Sequence, residues 1–197
     1  MNRNLWTSLA VLAVLAVCGG GAARAEMIVV NFENVPDDYL YRAGNQNLGT
    51  YYPALNFGPH VTVMDRGRYG YNSSDYPPHS GNAIIWGDYV DQPLRVDFLG
   101  FQSTSVEAWY TSIYVVNLNA YDSADHLLAS VSGPANYPGQ ITLISVSASD
   151  IAYVTFYNNG MSSLSLDDFA YTPVPEPTML ALLAVGGLAA LQRRRAR

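Results

Sequence analysis

The chain reads as an all-β protein, a sandwich or barrel of short strands, on three observations. First, runs rich in Val, Ile, Tyr, Phe and Thr recur between residues 26 and 173. Second, turn signals separate them: Leu99-Gly100, Asp122-Ser123-Ala124-Asp125, Gly133-Pro134 and Asn158-Asn159-Gly160. Third, this stretch holds no sustained helical period, and many short strands at close spacing favour a sandwich or barrel.

The strands expected are 27–33, 61–64, 83–86, 94–99, 105–110, 113–121, 126–131, 140–147, 151–157 and 164–171. Alternation supports them. In 105–110, Val106, Ala108 and Tyr110 share one face, and Glu107 and Trp109 share the other. In 113–121, Tyr114, Val116, Leu118 and Ala120 form an apolar row. Residues 34–82 differ, with many tyrosines among Pro and Gly. They read as long loops packed on the sandwich, with a short strand or two at most.

The chain has 197 residues, one Cys (Cys18) and no Lys. Between residues 26 and 177, four arginines face all 16 acidic residues, a formal charge of −12. So acidic a body repels phosphate backbones, which argues against a nucleic-acid partner. With its one cysteine in the leader, the body has neither disulfide nor thiol chemistry.

Residues 1–25 have the form of a secretory signal helix. Arg3 begins it, 5–17 is apolar, and Ala23-Arg24-Ala25 is a small-x-small cleavage site. The Sec translocon and signal peptidase are the partners expected there. Residues 174–197 form a third segment: Pro175-Glu176-Pro177, an uncharged apolar run 178–191, then Arg193, Arg194, Arg195 and Arg197. The prolines preclude regular structure around Glu176. As a helix the apolar run covers about 21 Å, short of the roughly 30 Å hydrocarbon core. Arginines after it place the C-terminus inside and the body outside the inner membrane. The domain plan is therefore signal 1–25, body 26–173 and tail 174–197, with a transmembrane helix in the tail.

The tail resembles the PEP-CTERM sorting signal of Gram-negative bacteria. The resemblance implies recognition by exosortase, a membrane-embedded cysteine protease-transpeptidase, and removal of the tail. It also implies a cell-surface or extracellular destination in a bacterium that makes extracellular polysaccharide and biofilm.

Within the body, Asn31-Phe32-Glu33 ends the first strand, and Leu166-Asp167-Asp168-Phe169 lies in the last. The pair resembles carbohydrate-binding-module-like jelly rolls, which makes the expected fold a jelly-roll-like β-sandwich. The resemblance implies a structural Ca2+ held by Glu33 and one of Asp167 and Asp168, with a loop carbonyl near Ser80-Gly81-Asn82. Strand alternation adds that one of the two aspartates points toward the core. A buried carboxylate needs a partner, and cations are few here.

No catalytic residue is assigned. Asp91, Asp97 and Glu107 are the carboxylates from which a glycosidase pair would come, a pair needing about 5–9 Å between them. No nucleophile elbow or zinc motif occurs, and His60, His79 and His126 read as isolated loop residues. Trp86 and Trp109 are candidates for stacking on sugar rings. The expected function is a non-enzymatic exported surface or matrix protein associated with extracellular polysaccharide. The alternatives are a carbohydrate-binding module for a defined glycan and, further off, a glycan-active hydrolase.

Overall fold

The computed structural model describes residues 25–41, 47–59, 61–68, 71–87, 92–158 and 164–174. The signal helix, Ala23, and the tail with Pro175, Glu176, Pro177 and the terminal arginines lie outside the described residues. Among the described residues no helix is long and apolar enough to cross a membrane.

Residues Glu26–Val174 form one compact unit. Its strands are β1 (Ile28–Val30), β2 (Leu55–Phe57), β3 (Val61–Asp65), β4 (Ala83–Gly87), β5 (Leu94–Phe98) and β6 (Ser103–Ser112). They continue as β7 (Val116–Tyr121), β8 (Leu127–Gly133), β9 (Thr142–Ile151), β10 (Tyr153–Asn158) and β11 (Leu164–Pro173). The only helical element among the described residues is a 3-10 turn, Asp37–Tyr39.

Two antiparallel sheets face each other. One runs β3-β4-β11-β6-β9, with β1 also on β11; the other runs β2-β5-β10-β7-β8. From β4 onward the eight strands take the jelly-roll order. The first, eighth, third and sixth of them make one sheet, and the second, seventh, fourth and fifth make the other. β2 and β3 extend one edge of each sheet, and β1 lies on β11 beyond the end of β4. Thus the strand order itself supplies the jelly roll.

Alternation places the core. Val106, Ala108 and Tyr110 of β6 face Val96 of β5, Val154 and Phe156 of β10, and Leu118 of β7, all essentially buried. Phe57 packs edge-on to Phe32 and Phe169, at ring distances of 5.7 and 5.9 Å. Each such ring contributes about 1.5–3 kcal/mol by burial. Tyr110 is fully buried, and its hydroxyl donates to the Pro134 carbonyl at 2.7 Å.

Two expectations change. Residues Ile113–Val115 are exposed and lie before β7, so Tyr114 leaves the apolar row. The chain crosses from one sheet to the other there, and that needs a turn. The alternation argument for Asp167 and Asp168 also fails. β11 carries a bulge between Asp167 and Ala170, with Asp168 at φ 45°. A bulge inserts one residue and re-aims its neighbours. Leu166 and Phe169 both reach the core, while both aspartates bond to the same loop outside it.

Candidate functional site

Three carboxylates from distant segments hold one loop. Glu33 Oε1 accepts from the amides of Asn82 and Ala83, both at 2.8 Å. Asp167 Oδ2 accepts from the amides of His79 (2.7 Å) and Ser80 (2.9 Å), and its Oδ1 from the Asp168 amide (2.7 Å). Asp168 accepts the Ser80 hydroxyl at 2.9 Å and shares a 2.6 Å hydrogen bond with His79 Nδ1. The His79 ring lies flat on Trp109, centroids 3.9 Å apart.

Local backbone makes this possible. Phe32 and Asn34 flank Glu33 at φ 56° and 61°, so the chain turns sharply, burying Phe32 and leaving Glu33 on the loop. A bulky residue at positive φ is uncommon and is held by its surroundings. Gly81, at φ +56°, is the close-approach point: a Cβ there would overlap the Glu33 carboxylate. Asp167 is only 1% exposed. Burial pushes its carboxyl up to about 6, the charge of Asp168 adds to the rise, and the amide bonds oppose it.

The arginines described in the body bond to none of the three clamp carboxylates. Arg68 binds Asp65, Asp37 and the Val35 carbonyl. Asp65 is buried, yet the bonds from Arg68 and the Gly67 amide hold its carboxyl below the usual range. Arg66 donates to Asn82 Oδ1, and Arg95 pairs with Asp97. Glu33 and Arg68 line an open polar cleft of about 560 Å³. With the guanidinium groups used there, amides serve the clamp.

The residues implied for calcium thus come together, and the loop at Ser80–Asn82 meets them. It does so with N–H groups, where a calcium ligand would be a carbonyl. Calcium takes six to eight oxygens. Among the described residues no group of three or more acidic, histidine or cysteine side chains is placed to hold a metal ion. As arranged, the set clamps the loop through its amides.

The candidate glycosidase carboxylates are divided. Asp97 lies on the outer face of the second sheet, bound by Arg95 and Asn56. Glu107, between the core residues Val106 and Ala108, lies on the outer face of the first. Two stacked sheets separate them, beyond the reach of one substrate bond. Asp91 and His60 lie outside the described residues. His79, read from sequence as isolated, is a member of the clamp. His126 bonds to Asp122 in an exposed turn.

The two outer faces differ. That of the first sheet is roofed by the 71–82 loop. Tyr76 meets Trp86 edge-on at 4.8 Å, Tyr137 packs on Tyr76 at 5.0 Å, and His79 covers Trp109. Both tryptophans therefore lie outside the core, where alternation put Trp109, but with rings already engaged. Among the described residues the outer face of the second sheet has no such roof. At one end Tyr153 is packed between Arg95, 3.6 Å above its ring, and Tyr121, stacked at 4.8 Å. Beyond it lie two parallel pairs across β7 and β8. Ser130 donates to Asn119 Oδ1 and Ser132 to Asn117 Oδ1, both at 2.6 Å. These bonds orient both amides, whose Nδ2 groups bond to no other described residue. Thr155 and the 41% exposed Tyr157 of β10 adjoin them. Sequence reasoning noted Asn117 and Asn119 only as the polar side of a strand.

Residues 173–196 match the PEP-CTERM protein-sorting motif. The chain carries that address and is an exported protein of the exosortase route. No curated protein matches the chain. Among solved structures, it is similar to a DUF4465 family protein from Bacteroides caccae (14% identity, 75% of this chain and 99% of that one, TM-score 0.47). It is also similar to a family 29 carbohydrate binding module, CBM29-2 (13%, 75% and 92%, 0.43). A third is CsCBM6-3 from Clostridium stercorarium in complex with cellobiose (13%, 78% and 98%, 0.40). Likeness this distant bears on no function.

Proposed function

We propose that the chain is a non-enzymatic surface or matrix protein. Exosortase processes its tail, and its body holds a neutral glycan of the extracellular polysaccharide on the open face of the second sheet. The observation that carries this is the pair of Asn-Ser units. Two oriented amide donors, with no further partner among the described residues, lie beside Thr155 and the internally paired Arg95–Asp97 on a strongly acidic body. Sugar hydroxyls accept from such donors, and Tyr157 supplies a ring edge or face beside them. The division of Asp97 from Glu107 supports binding without turnover.

Affinity electrophoresis in gels containing soluble neutral polysaccharides tests the proposal. Retardation should be lost in Asn117→Ala/Asn119→Ala. Retardation lost instead in Trp86→Ala would move the site to the other sheet, and absence of retardation with every polysaccharide would refute glycan binding.

A structural Ca2+ at Glu33, Asp167 and Asp168 is the second reading. It is favoured by the meeting of three carboxylates on one short loop. The ion would have to displace amide donors. Chelator-stripped protein should then melt higher when calcium is restored, since a ligand of the folded state stabilises it. An unchanged Tm would refute it.

A further inference from the structure

We infer that one end of the sandwich is a lipid-docking surface, pressed on the membrane while the tail is still attached. The inference uses the tail as a membrane-inserted segment and adds the face of the body that meets the lipid.

Both chain ends leave the body at one place. Ile28 pairs with Tyr171, and the Val174 amide bonds to the Gln102 carbonyl at 2.8 Å, beside the β5–β6 turn. The mature start at Glu26 and the first tail residue therefore depart from the same corner. Only Pro175-Glu176-Pro177 separates Val174 from the apolar run that starts at Thr178. Four residue steps reach at most about 14 Å. The headgroup layer takes about 5–8 Å of that. A body of this size has a radius of gyration of about 15 Å. It cannot stand clear of the surface or turn this corner away.

The corner is suited to that contact. Met27, Ile28, Val29 and Leu99 are 47, 43, 53 and 42% exposed. Ile28 shares one face of β1 with Val30, and Val29 lies on the opposite, outward face, so exposed apolar groups flank both sides of the strand. Ile28 and Val29 line a mostly apolar cleft of about 300 Å³ with Tyr52, Pro53, Ala54 and Tyr171, and Asn31 and Glu33 also border it. Leu99 donates its amide to Ala54, and Phe101 packs on Tyr171 at 5.5 Å. Exposed apolar surface of this kind marks interaction sites, and Tyr favours the headgroup level. The acidic turn with Asp122 and Asp125 belongs to β7 and β8, on the far side of the same end. The acidic groups nearer the corner are Glu26, Glu33 and the exposed Asp150, which precedes Ile151 opposite Ser103.

The test uses residues 26–197, which lack cysteine, reconstituted in phosphatidylethanolamine–phosphatidylglycerol vesicles. An environment-sensitive fluorophore is placed at Ile28→Cys, Leu99→Cys or, as a control, Ser130→Cys. Melting curves matching the parent confirm folding of each. The expected result is blue-shifted emission at 28 and 99, quenched by nitroxide lipids, with neither at 130. Protein that floats with vesicles while 28 and 99 behave like 130 would overturn the inference and leave the tail's insertion standing. Protein that fails to float would overturn both. Burial of 28 and 99 only in membranes containing exosortase would replace lipid by a protein partner.

Discussion

Replacing Asp167 by Asn should change how stability depends on pH, in a direction the structure dictates. In the folded state burial pushes the Asp167 carboxyl up to about 6, against an ordinary value of 3.8. The folded protein therefore binds more protons than the unfolded chain between about pH 4 and 6. Stability from this group is complete below the unfolded value and is lost as pH rises through the folded one. About two pKa units at roughly 1.4 kcal/mol each give ~3 kcal/mol. Asn has nearly the same shape, and its carbonyl can still accept from the His79 and Ser80 amides, but it carries no charge. Urea unfolding of the parent and Asp167→Asn at pH 4, 5, 6 and 7 isolates the effect. The variant should gain on the parent by about 3 kcal/mol between pH 4 and 7. A difference that stays flat, or moves the other way, would show that the amides outweigh burial and that Asp167 is an ordinary ionised acceptor.

Other outcomes follow from the same contacts. Gly81→Ala should cost about 1–3 kcal/mol, because the position needs positive φ and the new methyl meets Glu33. Calorimetry should register this as a Tm drop of about 2–4 °C per kcal/mol. Gly133→Ala should be worse, since its Cβ would overlap the buried Tyr110 hydroxyl; a Tm within 2 °C of the parent, on the order of experimental scatter, would contradict the packing. Glu176→Ala should leave the protein in the membrane fraction of an exosortase-containing cell. Unchanged release, followed by immunoblotting, would remove the motif from the sorting step.

Much of the fold was legible because alternation is a local signal. All ten expected strands exist, shifted by a few residues at their ends. The three-residue β2 was hidden in a stretch of Tyr, Pro and Gly, where so short a run has no period. Ile113–Val115 looked like strand because it is apolar, but the crossing between sheets leaves it exposed. The clamp was half legible. Glu33, Asp167 and Asp168 could be singled out as carboxylates with few cations near, yet the bulge at Asp168 adds one residue without any mark in the sequence. His79 looked isolated because its partner is 89 positions away. Asp97 and Glu107 both lie on strands, and nothing in their spacing says that they face opposite ways out of the sandwich.

The proposed ligand surface is the second sheet, not the tryptophan-bearing first. Amide and side-chain NMR shifts during titration with a neutral oligosaccharide that retards the protein in gels test it most directly. The largest changes should fall on the Asn117 and Asn119 side-chain amides and on Ser130, Ser132, Thr155 and Tyr157. Changes centred on Trp86, Trp109 and the 71–82 loop, with those residues silent, would contradict it.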